Sequence, residues 1–195
     1  IYNWVQEFDK FAAGVKTAVY HGPARQPHLL TDPDTNIIIT SYGTMRQDVE
    51  QLAAVVWDVI VLDESHSIKN PSAQITRAVG ALQGATRIAL SGTPVMNSTA
   101  DLYAQINFLL PGLLGSYEFF RREYAIPIEQ KQDAEKAAAL QKLIAPFVLR
   151  RTKEQVATDL PPKTEMVMWC EMGKDQQAAY ESVKENIRSN VFLEI

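Results

Sequence analysis

At 195 residues, 46% hydrophobic and 22% charged, the chain has room for one medium domain, or one domain plus part of another, and can build a sizeable core without staples. A net charge of -4 excludes a chain that is basic overall; it argues against binding nucleic acid through bulk electrostatics but leaves a local basic face open. Cys170, the single cysteine, excludes an intrachain disulfide and fits a reducing compartment, and no run approaches about 18 uninterrupted apolar residues, so no membrane span is expected.

In chain order, the first strand expected is Thr17-Ala18-Val19-Tyr20, and a better one is Asn36 to Thr40. The pattern predicts a helix from about Thr44 to Val55, then a strand from Trp57 to Leu62. Asn70-Pro71 reads as a helix start; Ile75, Val79 and Leu82 share one face, and Gly84 is expected to close the helix. Arg87 to Leu90 follows as a strand. Ser98 and Asp101 approximate a capping box ahead of the stripe Leu102, Ile106 and Leu109, which Pro111-Gly112 stops.

Strands alternating with helices imply an α/β fold with a mostly parallel sheet. Residues 1–115 form that part. Residues 116–160 carry helical signals only, among them Ser116 to Tyr124 and Gln130 to Ala145, with Leu140, Leu143, Ile144 and Phe147 on one face. Pro161-Pro162 is a hard break. A strand from about Thr164 to Glu171, placing Cys170 in a core, and a helix from about Lys174 to Asn190 then begin a second α/β part over residues 161–195. The opening at Ile1 and the end at Val191 to Ile195 lead to the expectation of a piece of a longer protein.

Chemistry concentrates where apolar runs stop. Val59-Ile60-Val61-Leu62 leads straight into Asp63-Glu64-Ser65-His66. Strand ends are where open α/β sheets place ligands, and two adjacent carboxylates are costly there unless something positive, such as a divalent ion, sits against them. One carboxylate suits Mg²⁺; its neighbour suits orienting or deprotonating water; His66 can relay to another loop. The plainer alternative is a strand ending in an acidic turn with a solvated imidazole. Ser91-Gly92-Thr93-Pro94 closes the next strand, beside the first, and its hydroxyls can reach the acidic loop. Alone it would be an ordinary turn.

Asp63-Glu64-Ser65-His66-Ser67-Ile68-Lys69-Asn70 resembles motif II of the SWI/SNF family of helicase-like ATPases, in superfamily 2. Leu90 to Asn97 looks like their motif III, and Asn3-Trp4-Val5-Gln6-Glu7-Phe8 is similar to their motif Ia. Tyr20-His21-Gly22 and Ile39-Thr40-Ser41-Tyr42 match the segments that follow. Phe147 to Lys153, with Leu160-Pro161-Pro162-Lys163, resembles the link out of the first lobe, and Gln177 to Tyr180 the opening of the second. The motifs occur in family order over nearly the whole chain. Two positions depart from the pattern: Ser65 replaces a small Ala or Gly, and Ser67 a frequent Arg.

The resemblance implies the back of a RecA-like first lobe over residues 1–115, a helical protrusion and linker over 116–160, and the start of a second lobe over 161–195. It implies ATP and Mg²⁺ as cofactors, with Asp63 on the metal, Glu64 activating water, and His66 coupling together with Ser91, Gly92 and Thr93. Double-stranded DNA is the implied partner, contacted around Trp4, Thr40, Ser41, Tyr42 and Asn97, with protein–DNA complexes as wider substrates. Arg150, Arg151 and Lys153 are implied at the junction between lobes; a solvated helix start is their plain alternative. The setting would be the nucleoid of a bacterial cell or the nucleus of a eukaryotic one. No Gly-x-x-x-x-Gly-Lys-Ser/Thr occurs, so the phosphate loop is expected before Ile1 and the arginine finger after Ile195, leaving these residues inactive alone. Two rivals stay open: a non-catalytic helicase-like binding module, and a serine hydrolase using Ser65 or Ser91 with His66, which lacks a Gly-x-Ser-x-Gly elbow.

Overall fold

The computed structural model describes residues 1–92, 98–151, 153–156 and 166–192. The chain divides into two units, Ile1–Arg150 and Arg151–Ile195. The first opens with helix α1 (Tyr2–Phe11) and continues as strand β1 (Thr17–Tyr20), strand β2 (Ile37–Thr40), helices α2 (Tyr42–Gln47) and α3 (Val49–Ala53), strand β3 (Val56–Leu62), helix α4 (Gln74–Ala81) and strand β4 (Gln83–Ala89). Both strand pairings are parallel: β1 with β2, from Thr17↔Ile37 to Tyr20↔Thr40, and β3 with β4, from Val56↔Gln83 to Leu62↔Ala89. Among the described residues they form two two-stranded sheets rather than one continuous ladder.

Side chains alternate across β3. Ile60 and Leu62 point into the core, while Val59 and Val61 remain about half exposed on the other face. The core under the strands gathers Tyr20, Met45, Leu52, Ile60, Leu62, Ile68, Val79, Leu82 and Phe108. Burying each of these large side chains contributes on the order of 1.5–3 kcal/mol.

Around the strands three sequence expectations shift, each for a physical reason. The helix expected over Thr44 to Val55 is two helices, broken at Asp48. Asp48 is held from outside the helix: Arg25 donates to it through Nε and, at 2.8 Å, through Nη2, and the Tyr20 hydroxyl donates at 2.8 Å. The helix expected from Asn70 begins only at Gln74, because the Asn70 side chain turns the chain locally, accepting from the Ser72 amide at 2.9 Å and hydroxyl at 2.7 Å. Gly84 does not close that helix; it sits inside β4. A Cβ there would fall 2.6 Å from Ile60 Cδ1, so the missing side chain lets β4 and the buried Ile60 approach.

The Arg25–Asp48 pair makes stability depend on pH. Hydrogen bonding from Arg25, opposed by desolvation and helped by Tyr20, lowers the Asp48 pKa from 3.8 to about 2. A depressed folded-state pKa stabilises fully above the unfolded value and is lost as pH falls through the folded one. The wild-type protein is therefore expected to lose stability more steeply between pH 3.8 and about 2 than Asp48→Asn does. Urea midpoints across that window measure the difference; parallel pH profiles would contradict it.

Beyond β4, helix α5 (Thr99–Leu109) starts at Ser98, whose hydroxyl accepts the Asp101 amide at 3.2 Å. Helix α6 (Tyr117–Phe120) runs through a π turn (Arg121–Ala125) into α7 (Ile126–Lys131). The helical run expected from Gln130 is interrupted: Gln132 is left-handed (φ 52°), and Asp133 caps α8 (Ala134–Ile144) by accepting the Lys136 amide at 3.0 Å. A second core joins Tyr103, Ile106, Leu114, Phe120, Ala125 and Leu140. Leu143 and Phe147, expected on the same face as Leu140, stay exposed.

The second unit contains a short helix α9 (Lys153–Val156) and a long helix α10 (Lys174–Phe192). The strand expected up to Glu171 is absent over residues 166–171, and Cys170 is exposed rather than in a core. A strand needs a neighbour to take its backbone hydrogen bonds, and no strand is described in this unit. Pro161-Pro162 lies outside the described residues. No described helix is long and apolar enough to cross a membrane.

Candidate functional site

Parallel pairing of β3 and β4 carries both motif-bearing loops to one edge. The Leu90 amide donates to the Leu62 carbonyl at 2.7 Å, and the Ser65 amide donates to the Leu90 carbonyl at 2.8 Å. The acidic loop and the start of the Ser91-Gly92 turn are thus laced together by backbone at the carboxyl end of the sheet, as their sequence positions predict. Ser65 is 1% exposed, and its hydroxyl donates to Gln105 Oε1 on α5 at 3.4 Å. Gly92 is exposed, and Thr93 lies outside the described residues.

The turn between the two carboxylates is made by Glu64, in the left-handed region at φ 48°. Few non-glycine residues adopt that conformation, and it costs free energy unless the surroundings enforce it. Here the Ser65–Leu90 bond and the Glu64 amide, which donates to Asp63 Oδ1 at 3.0 Å, hold it. Asp63 Oδ2 accepts the Trp4 indole N–H at 2.8 Å, and the Tyr42 hydroxyl donates to the Asp63 carbonyl at 2.8 Å. His66 Nδ1 lies 3.2 Å from Glu64 Oε2, near enough for an ion pair but without hydrogen-bond alignment, so this buried nitrogen has no hydrogen-bond partner.

Electrostatics agree with the geometry. Burial, then the charges of Asp63 and Glu64, push the Tyr42 phenol up to about 12. Among the described residues no lysine or arginine pairs with Asp63 or Glu64, and both are exposed. A carboxylate has about four acceptor positions, and Asp63 uses two. The loop therefore fits Mg²⁺, which binds through one or two carboxylates and keeps waters and phosphate oxygens as its other ligands. Asp63 would hold the ion. No cluster of three metal-ligating side chains occurs among the described residues.

A second locus lies at the carboxyl ends of β1 and β2. A pocket of about 390 Å³ is lined by His21, Gly22, Arg25, Ser41, Gly43 and Thr44, among others. Ser41 caps α2 by accepting the Thr44 amide at 3.2 Å; His21 Nδ1 lies 2.9 Å from Thr44 Oγ1 and 3.2 Å from Ser41 Oγ. Thr40 donates its hydroxyl to the Tyr20 carbonyl at 2.6 Å. The segments expected at DNA therefore part company: Ser41 and Thr40 belong to this pocket region, while Trp4 and Tyr42 are engaged at the acidic loop. Asn97 lies outside the described residues. His21 belongs to the Tyr20-His21-Gly22 segment at the end of β1, whereas no sequence signal marks Thr44 as part of this pocket. Arg150 and Arg151 are exposed, and Lys153 opens α9.

A parallel α/β unit with polar loops at the carboxyl ends of its strands has them where open α/β sheets place their ligands. The SNF2-related domain model matches residues 1–194, and the chain belongs to this family of helicase-like ATPases. It is 38% identical over 186 residues to the putative ATP-dependent helicase/translocase YwqA of Bacillus subtilis, covering 93% of this chain and 20% of that protein. To the TATA-binding protein-associated factor mot1 of Schizosaccharomyces pombe it is 34% identical over 205 residues, covering 98% of this chain and 10% of that one. The Sulfolobus solfataricus SWI2/SNF2 ATPase core in complex with dsDNA superposes with a TM-score of 0.74 at 39% identity, covering 98% of this chain and 40% of that chain. The fold is accordingly the RecA-like α/β fold of SWI2/SNF2 cores, and the chain spans less than half the length of each of these relatives.

Proposed function

We propose that this chain is part of a DNA-dependent ATPase that moves on double-stranded DNA or remodels protein–DNA complexes. The observation that carries the reading is the edge where Ser65 and Leu90 lace the Asp63-Glu64 loop to the Ser91-Gly92 turn while both carboxylates face solvent. Residues 1–115 supply the back of the first lobe, 116–160 the protrusion and linker, and 161–195 the start of the second lobe. Bound Mg²⁺ would neutralise and orient the triphosphate. Asp63 would hold the ion, Glu64 would take the proton of the attacking water, and His66 with Ser91, Gly92 and Thr93 would pass the nucleotide state onward. The pocket lined by His21, Gly22, Arg25 and Ser41 is the candidate place for a DNA phosphate, a contact that positions the duplex without reading its sequence.

ATP turnover tests the reading. The 195 residues contain no phosphate-binding loop and are expected to hydrolyse no ATP, with or without duplex DNA. A chain extended to include such a loop and a complete second lobe is expected to show DNA-stimulated hydrolysis. Turnover by the 195 residues alone contradicts the first expectation. An extended chain that binds DNA yet never turns over ATP favours the non-catalytic binding module.

A further inference from the structure

Helix α5 belongs to both hydrophobic cores. Phe108 packs with the strands, while Tyr103 and Ile106 pack with the protrusion helices. Tyr103, Ala104, Gln105, Ile106 and Phe108 are all buried, so the helix has little free face. It is also pinned at three levels by polar contacts. At its start, the Thr99 amide and the Thr99 hydroxyl both donate to Glu129 Oε1 of α7, each at 2.8 Å. At its middle, Gln105 accepts from Ser65 of the acidic loop. At its end, Arg87 of β4 donates to the Phe108 carbonyl at 3.0 Å and stacks over the Phe108 ring at 5.3 Å.

In sequence, the Ser91–Asn97 segment runs directly into this helix. A carboxylate against the first turn of a helix meets unpaired amides and the positive end of its dipole, so the Glu129 contact is charge-assisted and directional. Ser65, in turn, stands where the resembled family carries Ala or Gly, so its bond to Gln105 is an extra tie between the acidic loop and α5.

We propose that Glu129 is a positioning residue: it clamps the start of α5 to the protrusion, so that displacement of the acidic loop, delivered through Ser65 and Gln105, moves α5 and the protrusion as one body. This rests on the ATPase reading above. Glu129 touches neither carboxylate of the acidic loop, and it acts only through the helix it holds.

The test uses the full-length protein carrying this segment, with Glu129→Ala, Glu129→Gln and Thr99→Val. The readouts are DNA-independent hydrolysis, DNA-stimulated hydrolysis and base pairs moved per ATP, measured by displacement of a third strand from duplex DNA. In Glu129→Ala, DNA-independent hydrolysis and KM for ATP are expected to stay within about twofold, while ATP consumed per base pair rises by about 2- to 30-fold, the size of effect found for residues that carry coupling between sites. Glu129→Gln keeps an acceptor oxygen and is expected to recover part of the loss; Thr99→Val removes one of two contacts and is expected to fall between wild type and Glu129→Ala. Were Glu129→Ala to fail to fold, the Gln and Val variants would decide the matter by the same ratio. An unchanged ratio in folded variants, or a uniform loss of all activities in step with a lowered Tm, overturns the proposal. A wild-type protein without DNA-stimulated hydrolysis overturns the functional reading instead.

Discussion

Glu64→Gln in a chain complete enough to turn over ATP is expected to cut hydrolysis by about 10²–10⁴-fold, the usual contribution of a general base, and to leave nucleotide binding intact. The substitution keeps size and shape and removes the basic oxygen. Little of the fold depends on that oxygen: Glu64 is exposed, and His66 Nδ1 lies 3.2 Å from its Oε2 without a hydrogen bond. Asp63 keeps its bonds to Trp4 and to the Glu64 amide, so the implied ion site survives. Turnover within a fewfold of wild type would remove Glu64 from the reaction and return it to the role of a turn residue. Measuring binding of a fluorescent nucleotide alongside hydrolysis separates loss of chemistry from loss of affinity.

Phe120→Ala is expected to destabilise the protein by about 3–5 kcal/mol, the range for emptying an aromatic site in a packed core. Phe120 is 0% exposed, with the Tyr103 ring at 5.0 Å and the Tyr124 ring at 5.8 Å. It stands where α6 passes into the π turn, so the cavity opens at the least regular point of the helical run. Because α5 shares residues with both cores, the loss should appear as a single shifted urea transition rather than early melting of the protrusion alone. A loss below about 1 kcal/mol, or two separate transitions, would show that the protrusion folds independently of the strands.

Where sequence and structure agree, the signal is local. Ile37 to Thr40 and Val56 to Leu62 form strands because β-branched and apolar residues run together there, and each run ends where a polar loop begins. The Ser98 cap appears where its spacing places it, but of the expected stripe Leu102, Ile106 and Leu109 only Ile106 is buried, because α5 packs on two cores and buries Tyr103, Ala104, Gln105 and Phe108 as well. Disagreements arise where a distant residue overrides a local preference. Asp48 breaks a helix because Arg25 and Tyr20 claim its carboxylate, and Gly84 serves close packing on Ile60 rather than a helix end. The strand expected up to Glu171 fails over its described residues for want of a neighbour, which no pattern within the segment could reveal.

By itself the sequence determined which loops carry chemistry, their order along the chain and their attachment to parallel strands, since strand ends follow from local apolar patterning. Only the tertiary structure decided which side chains meet. Trp4 reaches Asp63 across 59 residues, Arg25 reaches Asp48 across 23, and Glu129 reaches Thr99 across 30. Such contacts depend on how elements stack, and the periodicity that marks a helix or strand carries no record of what packs against it.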